Sequence, residues 1–179
     1  MTQIGSVYGQ ALYTLARDEQ LAEQIRQELL GVGEILTKEP EYLRLLSAAN
    51  VPRQERCGLV DSAFRDKVHP YILNFLKILT ERGYAKQYFA CMEAFICQYN
   101  VDNNILPVKA VSAVALTNEQ IARLEEKLSN LTGKKACVEN KVDPQCLGGV
   151  LLDYDGTQVD GSVASRIEKI RKLLKNTVL

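Results

Sequence analysis

The run LGGVLLDYDGTQVDGSV, Leu147 to Val163, gathers four glycines and three aspartates. Two kinds of chemistry use such residues. A calcium loop of the EF-hand kind needs oxygen ligands at positions 1, 3 and 5, glycine at 6 and glutamate at 12. Counted from Asp153, Asp155 and Thr157 fall in register, but position 6 is Gln158 and position 12 is Ala164. A phosphate loop needs a lysine after its second glycine, because the phosphates need that charge. Gly156 and Gly161 have the right gap, yet Ser162 follows. Both patterns fail. A hairpin accounts for every residue instead. Val150 to Leu152 are β-prone, Asp155-Gly156 tolerates positive φ, and Thr157 to Val159 return as the second strand. Asp160-Gly161-Ser162 then breaks the strand and caps a helix.

Other reactive residues are sparse. His69 is the single histidine, and it precedes Pro70 at a helix start, where a polar side chain caps or faces solvent. No serine or cysteine stands in a nucleophile signature such as GxSxG. The five cysteines, Cys57, Cys91, Cys97, Cys137 and Cys146, show no CxxC spacing and are expected as free thiols. Cys91 and Cys97 are expected in a helix and at least partly buried. These residues imply no catalytic group, no metal and no cofactor. Near the end of the chain, Arg166, Lys169, Arg171, Lys172 and Lys175 form a basic cluster. A solvated helix face explains them, since cations suit a helix C-terminus. No aromatic is interleaved there to stack on bases, so nucleic acid is not the expected partner. An acidic protein partner stays open, and the alternative reading of the chain is a small helical adaptor or nucleic-acid-binding module that uses this basic helix.

The whole composition agrees. Lysine plus arginine and aspartate plus glutamate balance at 22 each, which excludes an argument from net charge for nucleic acid or membrane binding. Apolar runs are too short to cross a bilayer, so direct membrane insertion is not expected. The opening MTQIGSVYGQ lacks a basic region and a long apolar stretch, so it does not read as a secretory or transit signal.

The elements that would position these residues fall into two parts. Helical spacing runs through Val7, Tyr8, Ala11, Leu12 and Leu15, then through Leu21, Ile25, Leu29, Val32 and Leu36. A short third helix holds Tyr42 to Leu46. Pro52 suits the first turn of a fourth, with Leu59, Val60 and Phe64 inward, and Pro70 opens a fifth, with Ile72, Phe75, Leu76 and Leu79 inward and Gly83 as its stop. A sixth spans about Tyr84 to Asn100, with Phe89, Met92, Phe95, Ile96 and Tyr99 as its apolar set. After the polar break at Asp102 to Asn104, Leu106 to Leu116 reads as a strand. Thr117 and Gln120 have capping-box spacing, and Ile121, Leu124, Leu128 and Leu131 form one helical face that Gly133 ends. Lys135 to Val142 is a second strand, and Val163, Ile167, Ile170 and Leu174 stripe a last helix. The fold class is mainly α. A six-helix antiparallel bundle over 1–104 precedes a small α+β domain over 105–179, with a short sheet and two helices. Gly5, Ser6, Gly9 and Ala11 crowd the first helix. They suit either tight packing inside the bundle or a groove for a partner's amphipathic helix.

Three stretches, in order, resemble one family. SVYGQALYTLA (Ser6 to Ala16) is similar to the opening YAxALfxlA signature of the delta subunit of bacterial F-type ATP synthase, the family of the mitochondrial oligomycin-sensitivity-conferring protein. LNFLKILTERG (Leu73 to Gly83) resembles its NfLxlLxenG helix, and LGGVLLDYDGTQVDGSVASRIEKI resembles its C-terminal signature. Departures are Gly9 for alanine, Tyr84 for arginine, Asp153 for arginine, and Ala164-Ser165 where the family has a basic residue. The resemblance implies a non-catalytic stator subunit, one copy per complex, peripheral on the cytoplasmic face of a bacterial membrane. It implies that Tyr8, Ala11, Leu12, Phe75, Ile78 and Leu79 accept the N-terminal helix of an alpha subunit. It also implies that the C-terminal domain, through Gly148, Gly149, Ile167, Ile170 and Leu174, joins the C-terminal ends of the b subunits. Ion-driven ATP synthesis would then be coupled to rotation by holding the catalytic head still.

Overall fold

A computed structural model describes residues 2–48, 50–144, 146, 148–154 and 156–161. Contacts divide the chain into two units, Met1–Tyr99 and Asn100–Leu179. The expected Asp155 turn residue, the Ser162 cap and the striped last helix all lie outside the described residues.

The first unit holds α1 (Gln3–Asp18), α2 (Ala22–Lys38), α3 (Pro40–Leu46), α4 (Arg53–Phe64), α5 (Pro70–Glu81) and α6 (Tyr88–Asp102). Local chemistry sets most of the ends. The Thr2 hydroxyl accepts the Gly5 N–H at 3.2 Å and so caps α1. Pro70 sits in the first turn of α5, whereas Pro52 stands one place earlier than expected, as the cap residue of α4. A 3-10 turn at Ala85–Gln87 delays the start of α6 to Tyr88.

The core of this unit takes Ile25, Leu29, Val32 and Leu36 from α2, and Ile72, Phe75, Leu76 and Leu79 from α5. Both sets match their periodicity. α6 does not: it buries Tyr88, Cys91, Ala94 and Phe95, while Phe89, Met92, Ile96 and Tyr99 are only half-buried. Apolar residues surround this helix on most sides, so spacing marks no single inward face. Small side chains at 91 and 94 win because another backbone comes close there. Two buried side chains bond to backbone: the Tyr88 hydroxyl donates to the Leu29 carbonyl at 2.7 Å, and Arg56 Nη1 donates to the Leu46 carbonyl at 3.1 Å, while Arg56 Nε is buried without a hydrogen-bond partner among the described residues.

The second unit is a four-stranded sheet with one described helix. β1 (Ile105–Ser112), α7 (Asn118–Thr132), β2 (Lys135–Val142), β3 (Val150–Tyr154) and β4 (Thr157–Asp160) give the strand order β2-β1-β3-β4. β1 and β2 are parallel, which requires a crossover, and α7 supplies it. β3 runs antiparallel to both β1 and β4, the latter pair being the hairpin legible in the sequence. β1 stops at Ser112, short of the expected Leu116. There the Ser112 hydroxyl donates to the Val114 carbonyl at 2.7 Å, and the Asn140 amide donates to Ser112 Oγ at 2.8 Å and to the Ala110 carbonyl at 2.9 Å. These bonds turn the chain out of the sheet. The capping box at Thr117 and Gln120 is complete, and Gly133 ends α7 in the left-handed region at φ 69°.

Leu106, Val108 and Ala110 of β1 join Ala136, Val138 and Leu128 in the core of this unit. Leu131 departs from expectation and is 81% exposed. It lies beyond the bond from the Ala136 N–H to Ser129 Oγ that marks the start of β2. That bond has a partner: the Val138 N–H donates to Glu125 Oε1 at 2.9 Å. Both N–H groups point away from β1, so α7 caps the outer edge of β2 with its own side chains.

Candidate functional site

Glycine spacing decides which way α1 faces. Gly5, Gly9, Leu12, Tyr13 and Ala16 are its buried residues. A Cβ at Gly5 would meet the Ala90 methyl at 2.7 Å, and one at Gly9 would overlap the Cys91 carbonyl oxygen and lie 2.7 Å from the Ala94 methyl. The two glycines therefore let α1 press against the backbone of α6. Their entropic cost in a helix, about 0.5–1 kcal/mol each, is offset by this close approach. Val7, Ala11 and Leu15 then fall on the opposite side at i, i+4, i+8. Val7 is 59% exposed, Leu15 41%, and Ala11 is exposed as well.

The stripe read from the sequence thus splits. Of the six residues implied for the alpha-subunit seat, Leu12, Phe75 and Leu79 are brought together inside the core. Tyr8 is half-buried against that core, with its ring 6.2 Å from Tyr84 in an edge-on contact. Ala11 is exposed, and Ile78 is 44% exposed on α5. The surface part of any seat falls to Tyr8, Ala11 and Ile78. Val7 and Leu15, which the sequence reading does not assign to the seat, share the exposed face of α1 with Ala11. The signal that would have separated them is the i, i+4 pair Gly5 and Gly9.

In the second unit, Gly148 and Gly149 lead into β3 with φ of 126° and 87°. An L side chain at either would be strained. Ile167, Ile170 and Leu174 lie outside the described residues.

The histidine is engaged in structure. His69 caps α5: its Nδ1 accepts the Tyr71 N–H at 3.3 Å, its backbone N–H donates to Glu28 Oε2 at 2.6 Å, and its ring stacks edge-on against Tyr71. All five cysteines are free thiols. Cys91 is buried, and burial pushes its pKa up to about 11. Cys97, expected to be partly buried, is exposed, because α6 turns Phe95 and Ala94 inward instead. Among the described residues no three His, Cys, Asp or Glu side chains are grouped to hold a metal ion.

A model of the ATP synthase delta (OSCP) subunit family matches residues 4–174. The chain belongs to this family. It is similar to ATP synthase subunit delta of Clostridioides difficile (strain 630), 31% identical over 176 residues that cover 98% of this chain and 97% of that one. It is likewise similar to subunit delta of Lactobacillus johnsonii, 31% identical over 173 residues, or 96% and 94% of the two chains. Among solved structures, a chain of the Toxoplasma gondii mitochondrial ATP synthase hexamer shares the fold with a TM-score of 0.75, at 18% identity, covering 97% of this chain and 98% of that one. As a delta (OSCP) subunit this chain is non-catalytic and has a general peripheral-stalk role in a membrane-associated complex. Among the described residues no helix is long and apolar enough to cross a membrane.

Proposed function

We propose that this delta subunit ties the catalytic head of F-type ATP synthase to the membrane-anchored b subunits. Held in this way, the head does not follow the rotor, and proton- or sodium-driven torque is spent on ATP synthesis. The subunit acts as one copy per complex, on the cytoplasmic face of a bacterial membrane. Its N-terminal unit takes the N-terminal helix of an alpha subunit beside α1 and α5. Its C-terminal unit, with Gly148 and Gly149 shaping the entry to β3 and Ile167, Ile170 and Leu174 further on, takes the C-terminal ends of the b subunits.

The observation that carries this reading is the Val7, Ala11 and Leu15 stripe. One face of α1 is committed to α6 through Gly5 and Gly9, and the opposite face leaves apolar side chains in water. An amphipathic helix laid on that face would bury them, with anchors at the same i, i+4 spacing. Leu12, Phe75 and Leu79 belong to the core of the same unit, and Tyr8 and Ile78 are the half-buried and exposed members of the expected set. Ala11→Asp places a charge in the middle of the stripe while leaving the core untouched. Titration of an alpha-subunit N-terminal peptide into the full chain should show binding weakened by on the order of tenfold or more. A folded variant that binds the peptide as tightly as the parent chain rules the seat out.

A further inference from the structure

His69 is the only histidine of the chain, and it stands where a proton changes a bond. It is the cap residue of α5, and Pro70 follows it at the first helical position. Proline has no N–H, so the opening turn has one donor fewer to satisfy. The remaining donors each find an acceptor. The His69 N–H goes to Glu28 Oε2 at 2.6 Å, and the Tyr71 N–H goes to His69 Nδ1 at 3.3 Å. The Ile72 and Leu73 N–H groups close on the His69 carbonyl at 2.9 and 3.1 Å. Two of these acceptors are side chains: a carboxylate from α2 and an imidazole nitrogen.

The two differ in how they answer pH. The usual caps, Ser, Thr, Asp and Asn, offer an oxygen that remains an acceptor throughout the neutral range. An imidazole accepts at Nδ1 only while that nitrogen is bare and the ring proton sits on Nε2. Imidazoles as a class take up a second proton near pH ~6.5. The charged ring carries N–H at both nitrogens, so Nδ1 would meet the Tyr71 N–H donor to donor. The positive end of the helix dipole adds to that repulsion.

The charged surroundings do not rescue the bond. Glu28 faces this turn from α2, and the Tyr71 ring lies edge-on to the imidazole with centroids 4.8 Å apart. Asp66 and Lys67, in the connection from α4, are exposed. Glu28 attracts an imidazolium, but its oxygens are engaged, one by the His69 N–H and the other by the Gln24 amide at 2.9 Å. A charged ring that swings to Glu28 leaves Tyr71 in doing so. One that stays faces Tyr71 with a hydrogen. In both cases the Tyr71 N–H loses its acceptor. His69 is only half-buried, so the proton can come from water.

We infer that His69 is a proton-operated latch on the first turn of α5, closed when the ring is neutral and open when it is charged. The folded chain keeps this bond only with a neutral ring, whereas the unfolded chain takes up the proton freely. The latch therefore stabilises the fold above the imidazole range and is lost as pH falls through it. Ile72, Phe75, Leu76 and Leu79 still anchor α5 in the core, so the latch loosens one turn and leaves the helix in place.

The test uses the full chain, in which one imidazole gives one set of ring signals. Nitrogen NMR of that ring should show Nδ1 bare in mild base, and the Tyr71 amide signal should move with the same midpoint as the ring on acidification. Urea unfolding is then compared for the parent and His69→Asn, whose amide caps without titrating. From about pH 7.5 to about pH 5.5, the parent's unfolding equilibrium should rise threefold or more relative to that of the variant. A ring that carries its proton on Nδ1 in mild base would overturn the latch. So would a Tyr71 signal that ignores the ring, or the same pH dependence of unfolding in parent and variant.

Discussion

Glu23 shows how one side chain ties two helices together. Arg26 donates to both of its carboxylate oxygens, at 3.0 and 2.9 Å, and Gln27 donates at 2.8 Å. Arg26 also lies 5.3 Å from the centre of the Tyr99 ring, so α2 grips the end of α6. Hydrogen bonding from Arg26, then from Tyr99, lowers the Glu23 pKa from 4.5 to about 2. A depressed carboxyl stabilises the fold above its unfolded pKa and loses that contribution as pH falls through the folded one. The window is therefore pH 4.5 down to about 2. The Glu23 side chain is 48% exposed, so solvent screening limits its worth to about 0.5 kcal/mol. Urea unfolding of Glu23→Gln should show that loss at pH 7. The gap between variant and parent should close as the pH approaches 2. A gap that stays constant across this range would mean that ionisation of Glu23 contributes nothing.

At the scale of elements, the α1–α6 contact depends on the absence of side chains at Gly5 and Gly9. Gly9→Ala adds one methyl group, and it overlaps the Cys91 carbonyl oxygen and crowds the Ala94 methyl. Helix propensity favours alanine, so an isolated helix would gain from the change. In the packed unit the overlap wins, because two backbones must move apart to admit the methyl. Thermal unfolding should show a loss of about 1–3 kcal/mol. Gly31 makes the natural control, since it lies in α2 with nothing within 4 Å of its added Cβ. Gly31→Ala should leave stability unchanged or raise it. Equal destabilisation by both changes would remove the close-approach explanation.

At the scale of the whole molecule, the proposed division of partners between the two units predicts that a change in one spares the other. Gly149 has φ 87°, where an aspartate is strained by about 1–2 kcal/mol. It leads directly into Val150, which packs against the core of the second unit and whose carbonyl accepts the Gly161 N–H at 3.1 Å. Gly149→Asp in the full chain should weaken binding of the soluble C-terminal part of the b subunit and leave the alpha-subunit peptide bound as before. Both affinities are measured on the same preparation. Loss of alpha-peptide binding with b binding intact would exchange the partners of the two units.

Local chemistry made much of this protein legible from its sequence alone. Thr117 and Gln120 announce a complete capping box, Gly83 and Gly133 stop helices in the left-handed region, and Pro70 opens α5. Such signals act over a few residues, so a linear reading captures them. The helices over α2 and α5 were equally plain, because each has a single apolar stripe. Three ordered motifs also sufficed to suggest the family. Tertiary structure decided the rest. It chose Gly5, Gly9, Leu12, Tyr13 and Ala16 as the inner face of α1, because only a neighbouring backbone makes glycine a packing residue. It chose Cys91 and Ala94 over Met92 and Ile96 on α6 for the same reason. It placed β1 at the centre of the sheet beside β2 and β3, a pairing between segments far apart in the chain that no local pattern encodes. The exposed faces of α1 and α7 follow from those choices, since a surface is what remains once the core has taken its share.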